Sequence, residues 1–438
     1  MKPVNIGVLG LGTVGQGVVS ILRQNAAEIA RRAGREIRVT AAVVRDASKS
    51  REVDLTGVAV STDARALVND PDIDIIVELM GGLELALELV LEAIRNGKHV
   101  VTANKALIAI HGNEIFSLAS ENGVIVAFEP AVAGGIPVIK AIREGLTANQ
   151  IEWVAGIING TGNFILTEMR DRQRDFDDVL AEAQQLGYAE ADPTFDVEGI
   201  DAAHKLTIIA SIAFGIPLQF EKVYTEGISQ IEQSDVRYAE TLGYRIKHLG
   251  VARKTDAGVE IRVHPTLIPE RRLIANVDGV MNAVLVYGNA VGPTLYYGPG
   301  AGSEPTGSSV VADLVDIVRA MTTDPGMRVP HLAFQADSLS DHQVLPSSEF
   351  HTAYYLRLTA EDKPGVMADV TKVLGDHEIS IEAMVQPEPQ AGESEVPVEL
   401  LTRAVREGQM NAAITLLEQL SSITQPITRI RVEVLDAA

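Results

Sequence analysis

A glycine-rich turn between a predicted strand and a predicted helix constrains the fold of this chain more than any other feature. The apolar run Val4–Leu9 is typical of a buried strand, and it leads directly into GLGTVG at residues 10–15. A helical pattern follows and closes near Gly34, and a second strand is predicted at residues 37–44. In this order of strand, turn, helix and strand, G-x-G-x-x-G indicates a doubly wound α/β domain that binds a dinucleotide.

The three glycines of this turn are expected to have different functions. Gly10 allows a tight turn, Gly12 lets a pyrophosphate approach the backbone, and Gly15 allows close packing of helix and strand. The helix N-terminus adds N–H donors and a partial positive charge for the phosphates. The alternative is a glycine-rich turn in another kind of α/β protein. The cofactor-binding residues predicted here are Gly10, Leu11, Gly12, Thr13, Val14 and Gly15.

The end of the second strand bears on the choice between NADP and NAD. An acidic residue there usually binds the 2′-hydroxyl of NAD, whereas an arginine accommodates the 2′-phosphate of NADP. The chain has Arg45 followed by Asp46. Arg45 comes first and favours NADP(H), while Asp46 keeps NAD(H) open. The alternative for Arg45 is an ordinary surface cation.

Strand and helix patterns continue to alternate up to about residue 128. In parallel sheets, ligands bind beyond the carboxyl ends of the strands. Lys105 and Glu129 follow two such ends, so we interpret both as candidate site residues. The strands predicted in this region cover residues 73–79, 99–103 and 124–128, and a helix between the first two ends at Gly97.

Two segments rich in small residues come next. After Glu129, the segment PAVAGGIP at residues 130–137 offers backbone carbonyls beside one carboxylate, which suits a hard cation; an unoccupied turn is the alternative. A helix is predicted at about residues 137–146, and a strand at 151–158 begins a new sheet. We interpret NGTGN at residues 159–163 as a polar loop that aims donors at a substrate, with a plain turn as the alternative.

The stretch LGYAEADPTFDVEGIDAAHKL, residues 186–206, is the strongest candidate for chemistry. Five carboxylates precede His204 and Lys205 within it. Apolar residues from Gly199 onward have helical spacing, so Asp201 and Lys205 are expected one turn apart on the same helix face. A solvated acidic loop with a surface ion pair is the alternative.

The remaining third of the chain contains strands, a linker and a separate module. Strands are predicted at 259–263 and 280–287, and an amphipathic helix at 308–321 is expected to return to the first domain. Residues 326–350 have the composition of a linker. The pattern after it is βαββαβ, the ferredoxin-like order, with a loop rich in Pro, Glu and Gly between its second and third strands.

Composition excludes several classes of protein. The formal net charge of −22 argues against nucleic acid and anionic membrane as partners, since both require a basic surface. The chain has no cysteine, which excludes disulfides, thiolate metal sites and thioester chemistry. No apolar run approaches the roughly 20 residues of a membrane span, and the first strand starts without an export signal. We therefore expect a cytoplasmic protein.

Six segments, in this order and spacing, resemble homoserine dehydrogenase. They are GLGTVG, VVTANK, EPAVAGGIP, IINGTGNFIL, GYAEADPTFDVEGIDAAHKL and GPGAGSEPTGSSVVADLVD, and they cover about residues 1–330. The resemblance implies NAD(P)H-dependent reduction of L-aspartate 4-semialdehyde to L-homoserine, in threonine, methionine and isoleucine biosynthesis. Because the first strand begins at Val4, we do not expect a preceding aspartokinase domain.

The resemblance also implies roles for residues at matching positions. Lys205 matches the proton-donating lysine and Lys105 matches a second active-site lysine near nicotinamide and substrate. Glu190 and Asp201 match acids that hold the substrate amino group and the lysine. This agrees with the chemistry, because hydride arrival at an aldehyde builds an alkoxide that a nearby ammonium stabilises. Supporting substrate positions are matched by Thr161, Tyr188 and Asp196.

Two further sites follow from the same resemblance. Glu129 and the carbonyls of Val132, Gly134 and Ile136 match a monovalent cation site for Na⁺ or K⁺. Gly302 matches a late contact with the cofactor. The region around residues 244–295 matches the dimer contact, so a homodimer or a homotetramer is expected.

The C-terminal module resembles an ACT domain, because DKPGV stands at its first strand-to-helix turn. That resemblance implies binding of an amino-acid effector, with threonine as the expected feedback inhibitor. Its helix N-terminus is suited to a ligand carboxylate. An ACT domain that serves only for assembly is the alternative. The regulatory residues predicted here are Asp362, Gly365 and Val366.

The predicted architecture is α/β throughout and has three domains. A Rossmann-type dinucleotide-binding domain is expected at residues 1–135, with 300–325 returning to it. An α+β substrate and dimerisation domain with a mixed sheet is expected at 136–300, and the ferredoxin-like ACT domain at 351–438. The alternatives in function are another amino-acid or hydroxy-acid dehydrogenase on this scaffold, and a non-enzymatic amino-acid sensor with a vestigial dinucleotide domain.

Overall fold

The computed structural model describes residues 2–386 and 394–436. The strands are β1 (Val4–Leu9), β2 (Ile37–Val43), β3 (Ala59–Ser61), β4 (Ile75–Glu78), β5 (His99–Thr102), β6 (Val126–Ala127), β7 (Ile151–Ile157), β8 (Tyr224–Thr225), β9 (Tyr244–Thr255), β10 (Gly258–Pro269), β11 (Met281–Gly288), β12 (Gly292–Pro299), β13 (His351–Glu361), β14 (Ile381–Val385), β15 (Glu395–Thr402), β16 (Val405–Arg406) and β17 (Thr428–Val432). The helices are α1 (Thr13–Gln24), α2 (Ala26–Ala33), α3 (Ala64–Asn69), α4 (Glu84–Arg95), α5 (Lys105–Glu121), α6 (Val138–Lys140), α7 (Gly160–Arg172), α8 (Phe176–Gln185), α9 (Thr194–Val197), α10 (Ile200–Phe214), α11 (Gln233–Thr241), α12 (Ser303–Ala320), α13 (Val366–Asp376) and α14 (Glu407–Leu417). Residues 387–393, within the predicted loop rich in Pro, Glu and Gly, lie outside the described residues.

The chain divides into two compact units. The first unit comprises Met1–Gly160, Asp201–Glu221 and Val280–His342. The second comprises Thr161–Ile200, Lys222–Gly279 and Gln343–Ala438. Each unit is therefore assembled from segments that are distant in the sequence.

A six-stranded sheet forms the centre of the first unit. Its order is β3-β2-β1-β4-β5-β6, and every pair is parallel. Strands β1, β4 and β5 are nearly continuous buried runs, as expected where helices cover both faces of a parallel sheet. The doubly wound fold predicted from the glycine turn is confirmed.

Helices α1 and α12 pack closely against each other in the first unit. Gly17 on α1 faces the backbone of Ser303, and Gly307 on α12 faces the backbone of Gly17, so neither position has room for a side chain. Val18 and Leu314 extend this contact into the core on one face of the sheet. Helix α12 begins at Ser303, five residues before the predicted start at 308.

The prediction of one helix closing near Gly34 was wrong in one respect. The chain leaves helical geometry at Asn25, where φ is −107° and ψ is 18°, and this residue ends α1 and precedes α2. The asparagine side chain competes for backbone hydrogen bonds and favours helix ends over interiors. Gly34 then ends α2 in the left-handed conformation, with φ of 79°.

A second, antiparallel sheet of the first unit has the order β12-β11-β7. It confirms that the strand after residue 150 begins a new sheet. Helix α10 is buried on almost every side, including Asp201 and His204 in its first two turns. A helix that is surrounded in this way holds its polar side chains in fixed positions, because few other rotamers are free of collisions.

The second unit is built on a sheet with the order β9-β10-β17-β13-β15-β14. Strands β10 and β17 are parallel, and the other neighbouring pairs are antiparallel. From β13 to β17 the chain follows the predicted βαββαβ order, with α13 and α14 packed on one core. The ferredoxin-like module is confirmed.

One local prediction was wrong, and another was confirmed with a different type of helix in its second half. Residues 160–163 of NGTGN form the first turn of α7 and not a loop. Glycine usually weakens a helix by about 1 kcal/mol, but the side chain of Asn163 donates to the carbonyls of Val277 and Gly279, and these tertiary bonds hold the turn. The helix predicted at 137–146 is α6 followed by a π-helical segment, Ala141–Gly145.

No helix among residues 2–386 and 394–436 is both long and apolar enough to cross a bilayer.

Candidate active site

The glycine turn has the geometry that dinucleotide binding requires. Gly10 has φ of 102°, and a Cβ atom there would lie 2.7 Å from the carbonyl oxygen of Leu79. A Cβ atom at Gly15 would collide with the carbonyl of Gly10. At Gly12 a Cβ atom would meet nothing within 4 Å, so the space outside the turn is open. The turn therefore leaves room for a phosphate beside Gly12, at the N-terminus of α1.

A second helix begins beside the same turn. The hydroxyl of Ser303 donates to the carbonyl of Thr13 at 2.8 Å, which brings the start of α12 to the start of α1. Gly302 precedes α12 with φ of 133°, a conformation that favours glycine. Two helix N-termini, each with a partial positive charge, thus meet beside the glycine turn.

The residues after β2 differ in how they are held. Arg45 is exposed to solvent. The Oδ1 atom of Asp46 accepts the backbone N–H of Ser48 at 2.8 Å and the Ser48 hydroxyl at 2.6 Å. The Ser48 hydroxyl in particular holds the pKa of Asp46 below its usual range. Asp46 therefore shapes its own turn, while Arg45 faces the solvent.

Two lysines meet at one buried carboxylate in the first unit. The Nζ of Lys205 lies 2.6 Å from Oδ2 of Asp201, one turn earlier on α10. The Nζ of Lys105, the first residue of α5, lies 3.1 Å from Oδ1 of the same carboxylate. Asp201 is 5% exposed. The predicted i,i+4 pair is present; Asp201 is buried and the Lys205 side chain is 12% exposed, so the pair does not lie on a solvated surface.

The charges of the two lysines keep Asp201 ionised. Burial alone would raise its pKa, but the ammonium groups of Lys205 and Lys105 outweigh burial and hold the pKa well below the usual range. One carboxylate between two ammonium groups leaves a net positive charge. Such a site stabilises negative charge that develops on a substrate oxygen.

Two contacts at this centre were missed by the sequence analysis. The Asn159 side chain donates to Oδ2 of Asp201 at 2.9 Å, and Lys205 donates to the carbonyl of Ile158 at 2.7 Å. Ile158 and Asn159 directly follow β7. Their position at the carboxyl end of a strand could have marked them as site residues. Burial lowers the pKa of the adjacent His204 to about 4, which leaves its ring neutral at pH 7, stacked 4.1 Å from Phe220.

The other predicted substrate residues belong to the second unit. The Thr161 hydroxyl, in the first turn of α7, donates to the carbonyl of Tyr188 at 2.6 Å. This bond ties α7 to the segment that follows α8. Glu190 and the ring of Tyr188 are exposed, and Asp196 is half-buried on α9. The structure therefore joins Thr161 to the acidic segment.

Glu129 is buried beside two charged side chains, Asp313 and Lys140. Its side chain is 1% exposed, and its two oxygens accept the backbone N–H groups of Ile139 and Lys140, each at 2.9 Å. Burial, reinforced by Asp313, raises the pKa of Glu129 to about 7. No group of three or more His, Cys, Asp or Glu side chains suited to a metal occurs in the described part of the chain. The other predicted cation ligands, Val132, Gly134 and Ile136, are buried in the turn that follows Glu129.

The predicted effector turn precedes α13 in the second unit. Gly365 has φ of 95°, in the left-handed region, and caps a helix of eleven residues. Asp362 is exposed, whereas Val366 is buried. The turn thus combines an accessible carboxylate with an exposed helix N-terminus.

Comparisons with known proteins agree with the geometry. The homoserine dehydrogenase model matches residues 137–315, the model of its NAD-binding domain matches 10–129, and the ACT domain model matches 354–421. A curated homoserine dehydrogenase from Pseudomonas aeruginosa is 64% identical over 436 residues, covering 100% of both chains. The chain belongs to the homoserine dehydrogenase family.

Solved structures of the family extend this result. The crystal structure of a homoserine dehydrogenase from Thiobacillus denitrificans has a TM-score of 0.95 and 64% identity, covering 100% of this chain and 99% of that one. A hyperthermophilic archaeal homoserine dehydrogenase in complex with NADPH has a TM-score of 0.61 and 26% identity, covering 72% of this chain and 98% of that one. The enzyme is thus an NAD(P)-dependent oxidoreductase that acts on the CH–OH group of homoserine, and it carries an ACT domain.

Proposed function

We propose that Lys205 exchanges the proton of the substrate oxygen during interconversion of L-homoserine and L-aspartate 4-semialdehyde. The observation that carries this proposal is the buried Asp201 carboxylate between Lys205 and Lys105. A nicotinamide cofactor supplies or accepts the hydride when bound. Lys205 then protonates the forming alkoxide, or removes the alcohol proton in the reverse direction, while Asp201 fixes its ammonium group. Lys105 adds a second positive charge near the same oxygen.

We propose that the acidic segment of the second unit binds the α-ammonium group of the substrate. Glu190 is exposed and available for an ion pair, and Asp196 contributes a second carboxylate. The hydrogen bond from Thr161 to Tyr188 supports the segment that carries Glu190. A cluster of carboxylates suits a substrate that carries a positive charge at neutral pH, as both homoserine and its aldehyde do.

We infer that NADP(H) is preferred over NAD(H). Asp46 is held by its hydrogen bonds from Ser48, whereas Arg45 is exposed. The exposure of Arg45 supports binding of a 2′-phosphate by its guanidinium group. The NADPH complex of the archaeal relative agrees with this preference. The turn of Gly10, Leu11, Gly12, Thr13, Val14 and Gly15, together with Gly302, would hold the pyrophosphate.

We also propose a monovalent cation, Na⁺ or K⁺, at Glu129. Among the described residues, the hydrogen bonds to the Glu129 carboxylate come from two backbone N–H groups, so a cation would add to the charge of Lys140 in offsetting the cost of burial. The carbonyls of Val132, Gly134 and Ile136 would complete the site. Bound there, the cation would hold the segment between β6 and α6 in one conformation.

For the ACT domain we propose threonine as the effector. Asp362 would bind its ammonium group, and the N–H groups at Gly365 and Val366 would bind its carboxylate at the N-terminus of α13.

We further propose a homodimer or homotetramer in the cytoplasm. Strand β12 lies at an edge of its sheet with Tyr297 exposed, which suits contact with a second copy.

We propose three domains, of which the first and third agree with the NAD-binding model at 10–129 and the ACT model at 354–421, whereas the homoserine dehydrogenase model at 137–315 runs past residue 300. Residues 1–135 with 300–325 would form the dinucleotide-binding domain, 136–300 the substrate and dimerisation domain, and 351–438 the regulatory domain after a linker at 326–350.

Initial rates test the proposals on cofactor and effector together. Oxidation of homoserine is followed by the absorbance of the reduced cofactor, with NADP⁺ or NAD⁺, and with or without threonine. We expect a higher kcat/KM with NADP⁺ and inhibition by threonine. A higher kcat/KM with NAD⁺ would refute the cofactor preference, and unchanged rates with threonine would refute the effector.

A further inference from the structure

Glu78 is a fully buried carboxylate to which no role has yet been given. It ends β4 and is 0% exposed. Across the parallel sheet it is paired with Leu9 at the end of β1 and with Thr102 at the end of β5. It therefore lies at the carboxyl edge of the sheet, where dinucleotide-binding domains hold their ligands.

The carboxylate organises the turn that follows β4. Its Oε1 atom accepts the backbone N–H of Met80 at 2.8 Å and that of Gly81 at 3.3 Å. Gly81 and Gly82 have φ of 73° and 79°, left-handed conformations that turn the backbone around the carboxylate. Burial raises the pKa of Glu78, and these donors oppose that change by favouring the ionised form.

The other carboxylate oxygen is linked to the start of α5. Oε2 accepts the hydroxyl of Thr102 at 2.6 Å, and Oγ1 of Thr102 accepts the backbone N–H of Asn104 at 3.0 Å. The Asn104 side chain caps α5 by accepting the N–H of Leu107 at 3.1 Å, and it donates to the carbonyl of Gly82 at 2.7 Å. Both connections from Glu78 therefore end at Asn104, the residue before Lys105.

We propose that Glu78 is a positioning residue that fixes Lys105 for the reaction. Lys105 directly follows Asn104, the residue at which both hydrogen-bonded connections from Glu78 end. The Nζ of Lys105 lies 3.1 Å from Oδ1 of Asp201, so its position depends on where Asn104 is held. Misplacement of a reacting group by 1 Å costs up to about 100-fold in rate. The inference rests on the proposed role of Lys105. Because Lys205 keeps its own contacts, we expect a loss of about tenfold in kcat when Glu78 is changed.

The test is a double-mutant cycle on kcat for homoserine oxidation. Glu78→Gln keeps the shape of the side chain but places an amide NH₂ against groups that donate hydrogen bonds. Lys105→Met removes the ammonium group on which Glu78 is proposed to act. If Glu78 acts through Lys105, the double variant should be no slower than Lys105→Met, within about twofold, because coupled residues are not additive.

Each result supports or overturns the inference. Additive losses would overturn it while leaving the proposed function intact, and wild-type turnover in Lys105→Met would overturn both. Asp74→Asn is the matched control, since Asp74 precedes β4 at the opposite edge of the sheet and accepts the N–H of Asn5. Any decrease in kcat caused by Asp74→Asn should multiply with the decrease caused by Lys105→Met, as expected for independent sites.

A second pair of variants keeps the test valid if Glu78→Gln does not fold. Thr102→Val removes the hydroxyl that joins Glu78 to Asn104, whereas Thr102→Ser retains it. We expect turnover to be several-fold slower in Thr102→Val than in the wild type. In the Lys105→Met background, Thr102→Val should not slow turnover further. Thr102→Ser should have the wild-type rate. Equal rates for the two variants would overturn the inference.

Discussion

The Nζ of Lys105 lies 3.1 Å from Oδ1 of Asp201, although the two residues lie in the first turns of different helices in distant parts of the sequence. Lys205 binds the other oxygen of the same carboxylate at 2.6 Å. The carboxylate thereby orients both ammonium groups with a single buried negative charge. The mechanism proposed above depends on this sharing.

Replacing Lys205 tests its role in proton exchange. We expect Lys205→Met to lower kcat at least 100-fold, because the substrate oxygen loses its proton partner, while the Kd of the reduced cofactor changes less than twofold. Turnover is measured with homoserine, and Kd by fluorescence of the reduced nicotinamide. Lys372→Met is the control, since Lys372 is exposed on α13, and it should behave as the wild type. Normal turnover in Lys205→Met would exclude the proposed role.

Replacing Asp201 should affect both activity and stability. Asp201→Asn leaves two lysines without their shared carboxylate, so we expect kcat to fall at least tenfold. Breaking a buried pair costs about 3 kcal/mol, which corresponds to a decrease in Tm of about 5 °C or more. The control is Asp256→Asn, an exposed residue in the turn between β9 and β10.

The stability difference should depend on pH in a defined direction. Because the pKa of Asp201 is depressed in the folded state, its stabilisation is present above the unfolded pKa of about 3.9 and is lost as the pH falls further. The Tm difference between wild type and Asp201→Asn should be constant from pH 8 to 5 and should shrink below pH 4. Scanning calorimetry measures it, and a difference that grows on acidification would contradict the assigned shift.

Cofactor preference should depend on Arg45. We expect Arg45→Ala to lower kcat/KM for NADP⁺ about tenfold or more, since one charge-assisted contact to the 2′-phosphate is lost, and to leave kcat/KM for NAD⁺ unchanged. Arg38→Ala is the control, because Arg38 is an exposed arginine on β2 that pairs with Glu36. Equal losses with both cofactors would show that Arg45 acts on the fold and not on the 2′-phosphate.

The cation site predicts activation by a monovalent ion. At constant ionic strength, replacing a bulky organic cation with K⁺ or Na⁺ should raise the initial rate of the wild type. Glu129→Gln should lose this response, because an amide offers a weaker ligand than a carboxylate. Glu152→Gln is the control, since Glu152 lies on β7 away from residues 129–136 in the sequence. A full ion response in Glu129→Gln would exclude Glu129 as a ligand.

Inhibition by threonine should depend on the turn before α13. We expect Asp362→Ala to raise the threonine concentration for half-inhibition at least tenfold, without a change in the uninhibited rate. Asp376→Ala is the matched control, because Asp376 is an exposed residue at the opposite end of α13. Unchanged inhibition in Asp362→Ala would place the effector elsewhere.

Sequence patterns predicted the elements that depend on neighbours along the chain. The strand β1, the turn with Gly10 and Gly15, and the pairing of Asp201 with Lys205 all follow from local spacing. The βαββαβ order of the C-terminal module was predicted for the same reason. Several elements were missed: the short β3 and α3, and also the longer β9, β12 and α11.

Elements that depend on distant residues were beyond the reach of these patterns. The segment NGTGN was predicted as a loop because it contains two glycines, yet it forms a helical turn held by Asn163 at Val277 and Gly279. Asn159 was predicted only as part of a polar loop facing a substrate, and its hydrogen bond to Asp201 was not predicted. Local propensity is worth about 1 kcal/mol per residue or less, so a few tertiary hydrogen bonds override it.

The sequence by itself determined the type of fold, the dinucleotide turn and the helix face that carries Asp201 and Lys205, because each is set by short-range periodicity. Lys105 was predicted at the end of a strand, but only the tertiary structure decided that its ammonium group contacts Asp201 and that the carboxylate is buried between two charges. A parallel sheet brings the ends of distant strands to one edge, and no spacing along the chain encodes which side chains meet there.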